Sequence, residues 1–115
     1  MTREFVIMPE FERKWRQLGL ADAELRQLQE LLLLNPKAGD VIQGTGGLRK
    51  LRIAFSGSGK SGGGRVAYID FMAYDTIYLI TVYAKSEKDN LSQGERNEIA
   101  KVIQILERGL DGKEG

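Results

Sequence analysis

The chain has no cysteine and no histidine, and only two prolines in 115 residues. Without cysteine there is no disulfide, no thiolate nucleophile and no thiolate-held metal. Without histidine, the commonest general acid–base and the commonest metal ligand are missing as well. Any catalysis has to rest on Lys, Arg, Tyr, Ser, Thr or carboxylates. No DxD or ExxE pattern falls at a candidate pocket, so no metal and no cofactor is expected. No stretch approaches the roughly 18 apolar residues that cross a membrane. The opening MTREFVIMPE has too short an apolar run and the wrong flank for a signal peptide. These absences lead us to expect a cytoplasmic protein with no membrane partner. The length suggests one domain spanning residues 1–115.

What is present is unevenly distributed. Seventeen Lys+Arg against 16 Asp+Glu give a net charge of +1, which says little by itself. Between Asp40 and Asp70 there is no acidic residue, and that interval carries Arg49, Lys50, Arg52, Lys60 and Arg65. A local basic patch is the footprint of a polyanionic partner.

Periodicity divides the chain into seven elements. Arg3 to Met8 alternates and reads as a short strand closed by Pro9. A helix from Glu10 places Phe11, Trp15 and Leu18 on one face, with Gly19 as its stop. Asp22 is a candidate N-cap for a second, leucine-rich helix that ends before Asn35-Pro36. The two helices form an αα-hairpin whose apolar stripe packs on a sheet. Asn35 to Gly47 is a connector rich in turn residues. Leu48 to Phe55, Arg65 to Met72 and Ile77 to Ala84 read as three strands joined by short connections, hence antiparallel hairpins. In the first of these, Leu51, Ile53 and Phe55 point one way, and Lys50, Arg52 and Ala54 the other. Ser92 with Glu95 forms a capping box for a last helix, which carries Ile99, Val102, Ile103 and Leu106 and stops at Gly109, leaving a frayed LDGKEG tail. The order is β-α-α-β-β-β-α, an α+β domain.

Ser58-Gly59-Lys60-Ser61 imitates a phosphate-binding loop, but the pattern needs glycine where Ala54 stands and a helix after the loop, whereas Gly62-Gly63-Gly64 and a strand follow. It reads better as a hairpin loop that carries Lys60 toward an anion. The constellation with chemical capacity is Lys50, Arg52, Arg65 and Lys85, joined by Lys60 and Tyr83. Lys50 and Arg52 project from one face roughly 7 Å apart. Antiparallel pairing brings the start of the second long strand to the end of the first, and the end of the third to the start of the second. The cations therefore converge at one end of the sheet. Convergent cations hold phosphates, Arg bidentately, and stabilise charge building on a phosphorane-like transition state. Like-charge crowding with desolvation lowers a lysine's pKa and equips it as a general base. That would allow RNA cleavage through the 2′-hydroxyl with no histidine.

The segments NPKAGDVIQGTGGLRKLRIA (Asn35 to Ala54), GSGKSGGGRVAYI (Gly57 to Ile69) and YLITVYAKSEKDNLS (Tyr78 to Ser92) resemble the RelE/ParE toxin superfamily, and within it the HigB-like toxins. The resemblance spans roughly residues 30 to 95. It implies a twisted antiparallel sheet packed by two N-terminal helices and a C-terminal helix. It also implies the toxin of a type II toxin–antitoxin pair, a ribosome-dependent endoribonuclease that cuts mRNA in the A site by 2′-hydroxyl attack. Carried over, the catalytic basic positions fall on Lys50, Arg52, Arg65 and Lys85. Arg49, Lys60, Tyr83 and Lys88 are expected to contact RNA. The implied partners are the ribosome with its mRNA and a cognate antitoxin of helix-turn-helix type, through which alone operator DNA would be bound. One departure stands out: RelE toxins carry a base-stacking tyrosine shortly after the last basic residue, and here that region reads Ser86-Glu87-Lys88-Asp89-Asn90-Leu91. Tyr83 and Tyr68 are the candidates to replace it. A ParE-like gyrase inhibitor and a non-catalytic interaction module of the same fold are the alternative readings.

Overall fold

The computed structural model describes residues 2–54 and 63–114. In chain order it contains β1 (Glu4–Ile7), α1 (Pro9–Gln17), α2 (Asp22–Leu34), β2 (Asp40–Val41), β3 (Arg49–Ile53) and β4 (Gly64–Phe71). A 3₁₀ turn at Met72–Tyr74 leads to β5 (Thr76–Ala84), and α3 (Gln93–Glu114) follows. The expected Phe55 end of β3 and the Lys60 loop lie outside the described residues.

The helix termini follow local chemistry. Pro9 occupies the first helical position of α1, where its missing N–H costs nothing. Gly19, at φ 78°, ends α1 in a left-handed turn. Its N–H donates to the Arg16 carbonyl and that of Leu20 to the Trp15 carbonyl, as in a Schellman motif. The N-cap of α2 is Ala21 rather than Asp22. The Glu24 carboxylate supplies the cap by accepting from the Ala21 N–H at 3.0 Å. At α3 the expected box is complete: Glu95 accepts from the Ser92 N–H at 2.8 Å, and the Ser92 hydroxyl accepts from the Glu95 N–H at 3.1 Å.

The sheet has five strands in the order β1-β5-β4-β3-β2. β2–β3, β3–β4 and β4–β5 are antiparallel, while β1 runs parallel to β5. The sheet is therefore mixed, with its parallel pair at one edge. Arg3 anchors that edge by donating to the carboxylate of Asp70 on β4 at 2.9 Å, with Asp75 at 3.4 Å.

Helices cover both faces. On one, Phe11, Trp15, Leu28 and Leu32 of the αα-hairpin pack on Val66, Tyr68, Leu79 and Val82, so the predicted apolar stripe is core. On the other, Leu91 and Ile103 pack on Ala67, Ile69, Ile80 and Tyr83, with Ile99, Leu106 and Leu110 against them. α3 runs through Gly109 to Glu114 instead of stopping. Leu110 continues the i, i+4 stripe past the glycine, and Gly109 takes no left-handed turn.

The connector also proves more ordered than its composition suggests. β2 pairs Asp40 with Lys50 and Val41 with Arg49. The buried Thr45 hydroxyl donates to the Ile42 carbonyl and accepts from the Leu48 N–H. Gly39 lies so close to β3 that a Cβ there would sit 2.8 Å from the Lys50 carbonyl oxygen.

Candidate functional site

The register decides which cations share a face. Arg52 pairs with Arg65, and Arg65 pairs with Tyr83, so these residues form a row across β3, β4 and β5. Lys50 pairs with Ala67, two residues along the same face. This is the face that α3 covers, since Ala67 and Tyr83 belong to its core. Gly64 pairs with Ala84, and the Lys85 N–H donates to the Gly63 carbonyl at 3.1 Å, which sets Lys85 at the same end of the sheet. The backbone thus sets Arg52, Arg65 and Lys85 at one end of the sheet, with Lys50 two residues in from it.

The members differ in environment. Arg52 and Lys85 are exposed. Arg65 is only 6% exposed, and its Nη1 donates to the Gly64 carbonyl at 3.0 Å. Among the described residues no carboxylate forms an ion pair with it. A buried guanidinium without a counter-ion is costly, and an incoming phosphate would supply the missing charge. Lys50 donates from Nζ to Asn90 Oδ1 at 2.6 Å, which ties β3 to the segment before α3.

Tyr83 lies beside Arg65 and is 2% exposed. Among the described residues its hydroxyl has no hydrogen-bond partner. Burial pushes its phenol above the ordinary tyrosine value, opposed only in part by the Arg65 charge. Tyr83 is therefore a protonated O–H at neutral pH. Lys88 sits 5.3 Å from the centre of its ring and forms an ion pair with Glu95. That pair holds the Glu95 carboxyl below the usual carboxylate range, with the Ser92 N–H adding to the effect.

Two sequence candidates sit elsewhere. Arg49 pairs with Tyr68 and faces the αα-hairpin side, where its Nη1 donates to the Gly39 carbonyl at 2.7 Å. Tyr68 is fully buried on that side; its hydroxyl accepts from the Gly39 N–H at 2.9 Å and donates to the Pro36 carbonyl at 2.8 Å. Tyr68 is thus a core residue on the other face, so that of the two candidate tyrosines Tyr83 is the one on the basic face. Lys60 lies outside the described residues.

Sequence reasoning missed Arg96. It lies in the first turn of α3 and donates from Nε to the Leu91 carbonyl at 3.1 Å. A groove of about 320 Å³ brings it together with Lys50 and Asn90. A larger groove of about 540 Å³, near Phe11, Trp15 and Leu25 between α1 and α2, touches none of the basic cluster. Among the described residues no group of three Asp or Glu is placed to hold a metal ion, and no helix is long and apolar enough to cross a membrane.

The sheet with its two helical layers defines an α+β protein of the RelE-like fold. It is similar to a double mutant of the E. coli toxin RelE in its free state, at 17% identity and a TM-score of 0.55, covering 77% of this chain and 90% of that one. It is likewise similar to a chain of the intact E. coli RelBE toxin–antitoxin complex, at 18% identity and a TM-score of 0.52, covering 72% of this chain and 96% of that one. The family model for the RelE toxin of the RelE/RelB toxin–antitoxin system matches residues 7–111, and the chain belongs to that family.

Proposed function

We propose that this toxin belongs to the HigB-like branch and is a ribosome-dependent endoribonuclease that cleaves mRNA in the A site. The observation that carries this reading is the row Arg52–Arg65–Tyr83 across three strands, with Lys50 on the same face, Lys85 at the same end of the sheet and a buried arginine lacking a carboxylate partner among the described residues. Arg65 and Arg52 bind the non-bridging oxygens of the scissile phosphate and stabilise the charge that accumulates as the 2′-oxygen attacks phosphorus. Lys50 and Lys85 flank that phosphate and serve the proton transfers, one from the 2′-hydroxyl and one to the departing 5′-oxygen. Lys88 and Tyr83 contact the RNA once the Lys88–Glu95 pair parts. Lys60 and Arg49 add contacts to messenger or ribosomal RNA.

The cognate partner is an antitoxin that covers the basic face, as the RelBE relative occurs in a toxin–antitoxin complex. We take it to be of helix-turn-helix type and to bring operator DNA with it. The test is a primer-extension map of a reporter mRNA after brief expression, with and without a blocked start codon. Cuts confined to translated codons support the reading. Growth arrest with no cut overturns it in favour of a binding mechanism such as gyrase inhibition.

A further inference from the structure

We propose that the groove of about 430 Å³ between the N-terminal turns of α1 and α3 is a binding site for a linear aliphatic polyamine. Strand β5 contributes its floor and the two helices its walls. Glu10 comes from α1, and Glu95 and Glu98 come from α3, against Lys14 as the cation among the described lining residues. Leu91 and Ile99 add apolar surface. The volume lies in the lower part of the range for ligand pockets. A polyamine carries separated ammonium groups on a chain of methylenes. It therefore needs carboxylates that stand apart, with apolar surface between them, and the lining supplies both. A compact divalent cation needs its carboxylates together, and among the described residues no three acidic groups are placed to hold one. An anion would face three carboxylates.

Two features of the groove serve nothing described within the chain itself. Thr81 on β5 is 1% exposed, and its hydroxyl has no hydrogen-bond partner among the described residues. It lines the groove, and a buried hydroxyl left unpaired is costly. Its lone pairs can accept from an ammonium, which has donors only. Gly94 lies in the first turn of α3, although glycine is a poor helix former. Its φ is not left-handed, and a Cβ there would meet nothing closer than Ser92 Oγ at 3.9 Å. Neither backbone nor packing requires this glycine, but it lines the groove, and a larger side chain would narrow it. Helix dipoles favour carboxylates in a first turn, which accounts for Glu10 and Glu95. Glu98 lies a turn further on, where that effect has faded. Lys14 stands 3.7 Å from Glu10 and Lys101 3.4 Å from Glu98, both pairs open to solvent and weak enough to exchange. Glu95 is held more closely by Lys88, so Glu10 and Glu98 are the carboxylates that a ligand takes first. The site shares no lining residue with the Arg52–Arg65–Tyr83 row and does not rest on the endoribonuclease reading.

The experiment titrates the isolated ¹⁵N-labelled protein with putrescine and with spermidine at constant ionic strength, so that general screening is held fixed. Separate titrations use NaCl, MgCl₂ and the uncharged 1,4-butanediol. The backbone amides of Thr81, Gly94 and Ile99 are followed. The expected result is saturable shifts at these amides with both amines, spermidine binding the more tightly, and no such shifts with the salts or the diol. Glu98→Gln, at an exposed position, keeps a native spectrum and weakens spermidine binding roughly twofold to fivefold, the worth of one exposed ion pair. Thr81→Val deletes the unpaired hydroxyl; it leaves the melting temperature of the free protein unchanged or raised and weakens binding. Gly94→Leu improves helix propensity and abolishes binding. Absence of shifts, the same shifts with either salt or the diol, or undiminished binding in Glu98→Gln and Gly94→Leu overturns the proposal. A Thr81→Val protein that melts well below the parent gives the hydroxyl a structural role and overturns it as well. The primer-extension result is separate, since cleavage and polyamine binding can each fail without the other.

Discussion

Arg65 is the residue at which stability and the proposed function pull apart. Its guanidinium is buried with a backbone carbonyl as a described partner and no described counter-ion. Arg65→Met keeps most of the packed stem and deletes a desolvated charge, so it is expected to leave the melting temperature unchanged or raised. If the proposed endoribonuclease function holds, cleavage on translating ribosomes falls by roughly 100-fold or more, as for loss of one transition-state donor. A large loss of melting temperature with cleavage intact would make Arg65 structural. The two buried tyrosines give a sharper contrast at neutral pH. Tyr68→Phe strands the Gly39 N–H and the Pro36 carbonyl, and should cost about 1–3 kcal/mol by urea denaturation. Tyr83→Phe strands nothing described, and should be neutral or stabilising. The face of Tyr83 was not legible in the sequence, for an identifiable reason. Register shifts between Ala67 and Tyr68, which pair with Thr81 and Leu79 and leave Ile80 as an extra residue on β5. Strict alternation from Tyr78, on the α3 side, would put Tyr83 with the αα-hairpin. The bulge turns it to the side of Arg65.

At the scale of elements, the helices and long strands were legible because each rests on local chemistry. Gly19, the Ser92–Glu95 box and the spacing of Phe11, Trp15 and Leu18 act within a few residues of chain. Elements that depend on remote partners were not legible. β2 is two residues long and exists because β3 offers it an edge. The parallel position of β1 depends on β5, far along the chain. α3 overran its expected stop because Leu110 finds a core to pack on. That overrun has a measurable consequence. Gly109 sits inside a helix with nothing within 4 Å of an added Cβ. Gly109→Ala should therefore stabilise the protein by about 0.5–1 kcal/mol in urea denaturation. A glycine that ended the helix in a left-handed turn would instead be destabilised by alanine, so the sign of the change tests where α3 ends.

At the scale of the whole molecule, the sheet is a septum between two cores, and each core holds one buried phenol. Tyr68 belongs to the αα-hairpin side and Tyr83 to the α3 side. Burial raises the pKa of both above the ordinary tyrosine value of about 10. Hydrogen bonding from the Gly39 N–H opposes the shift at Tyr68, and the Arg65 charge opposes it at Tyr83, without cancelling either. Above the unfolded value, the unfolded chain has released protons that the folded chain still holds. Stability then falls as pH rises, because the unfolded state binds fewer protons. The contribution is complete below about pH 10 and is lost as pH climbs through the folded values. Urea denaturation across the alkaline range should show this decline. Tyr83→Phe should lessen its slope without lowering stability at pH 7, since the packing of the ring is kept and its hydroxyl leaves no described partner behind. Tyr68→Phe should also lessen the slope, but from a lower starting stability. A slope unchanged in both variants would mean that neither phenol governs the alkaline limit. A change in Tyr83→Phe alone would place that limit in the core beneath α3, on the same face as the basic row.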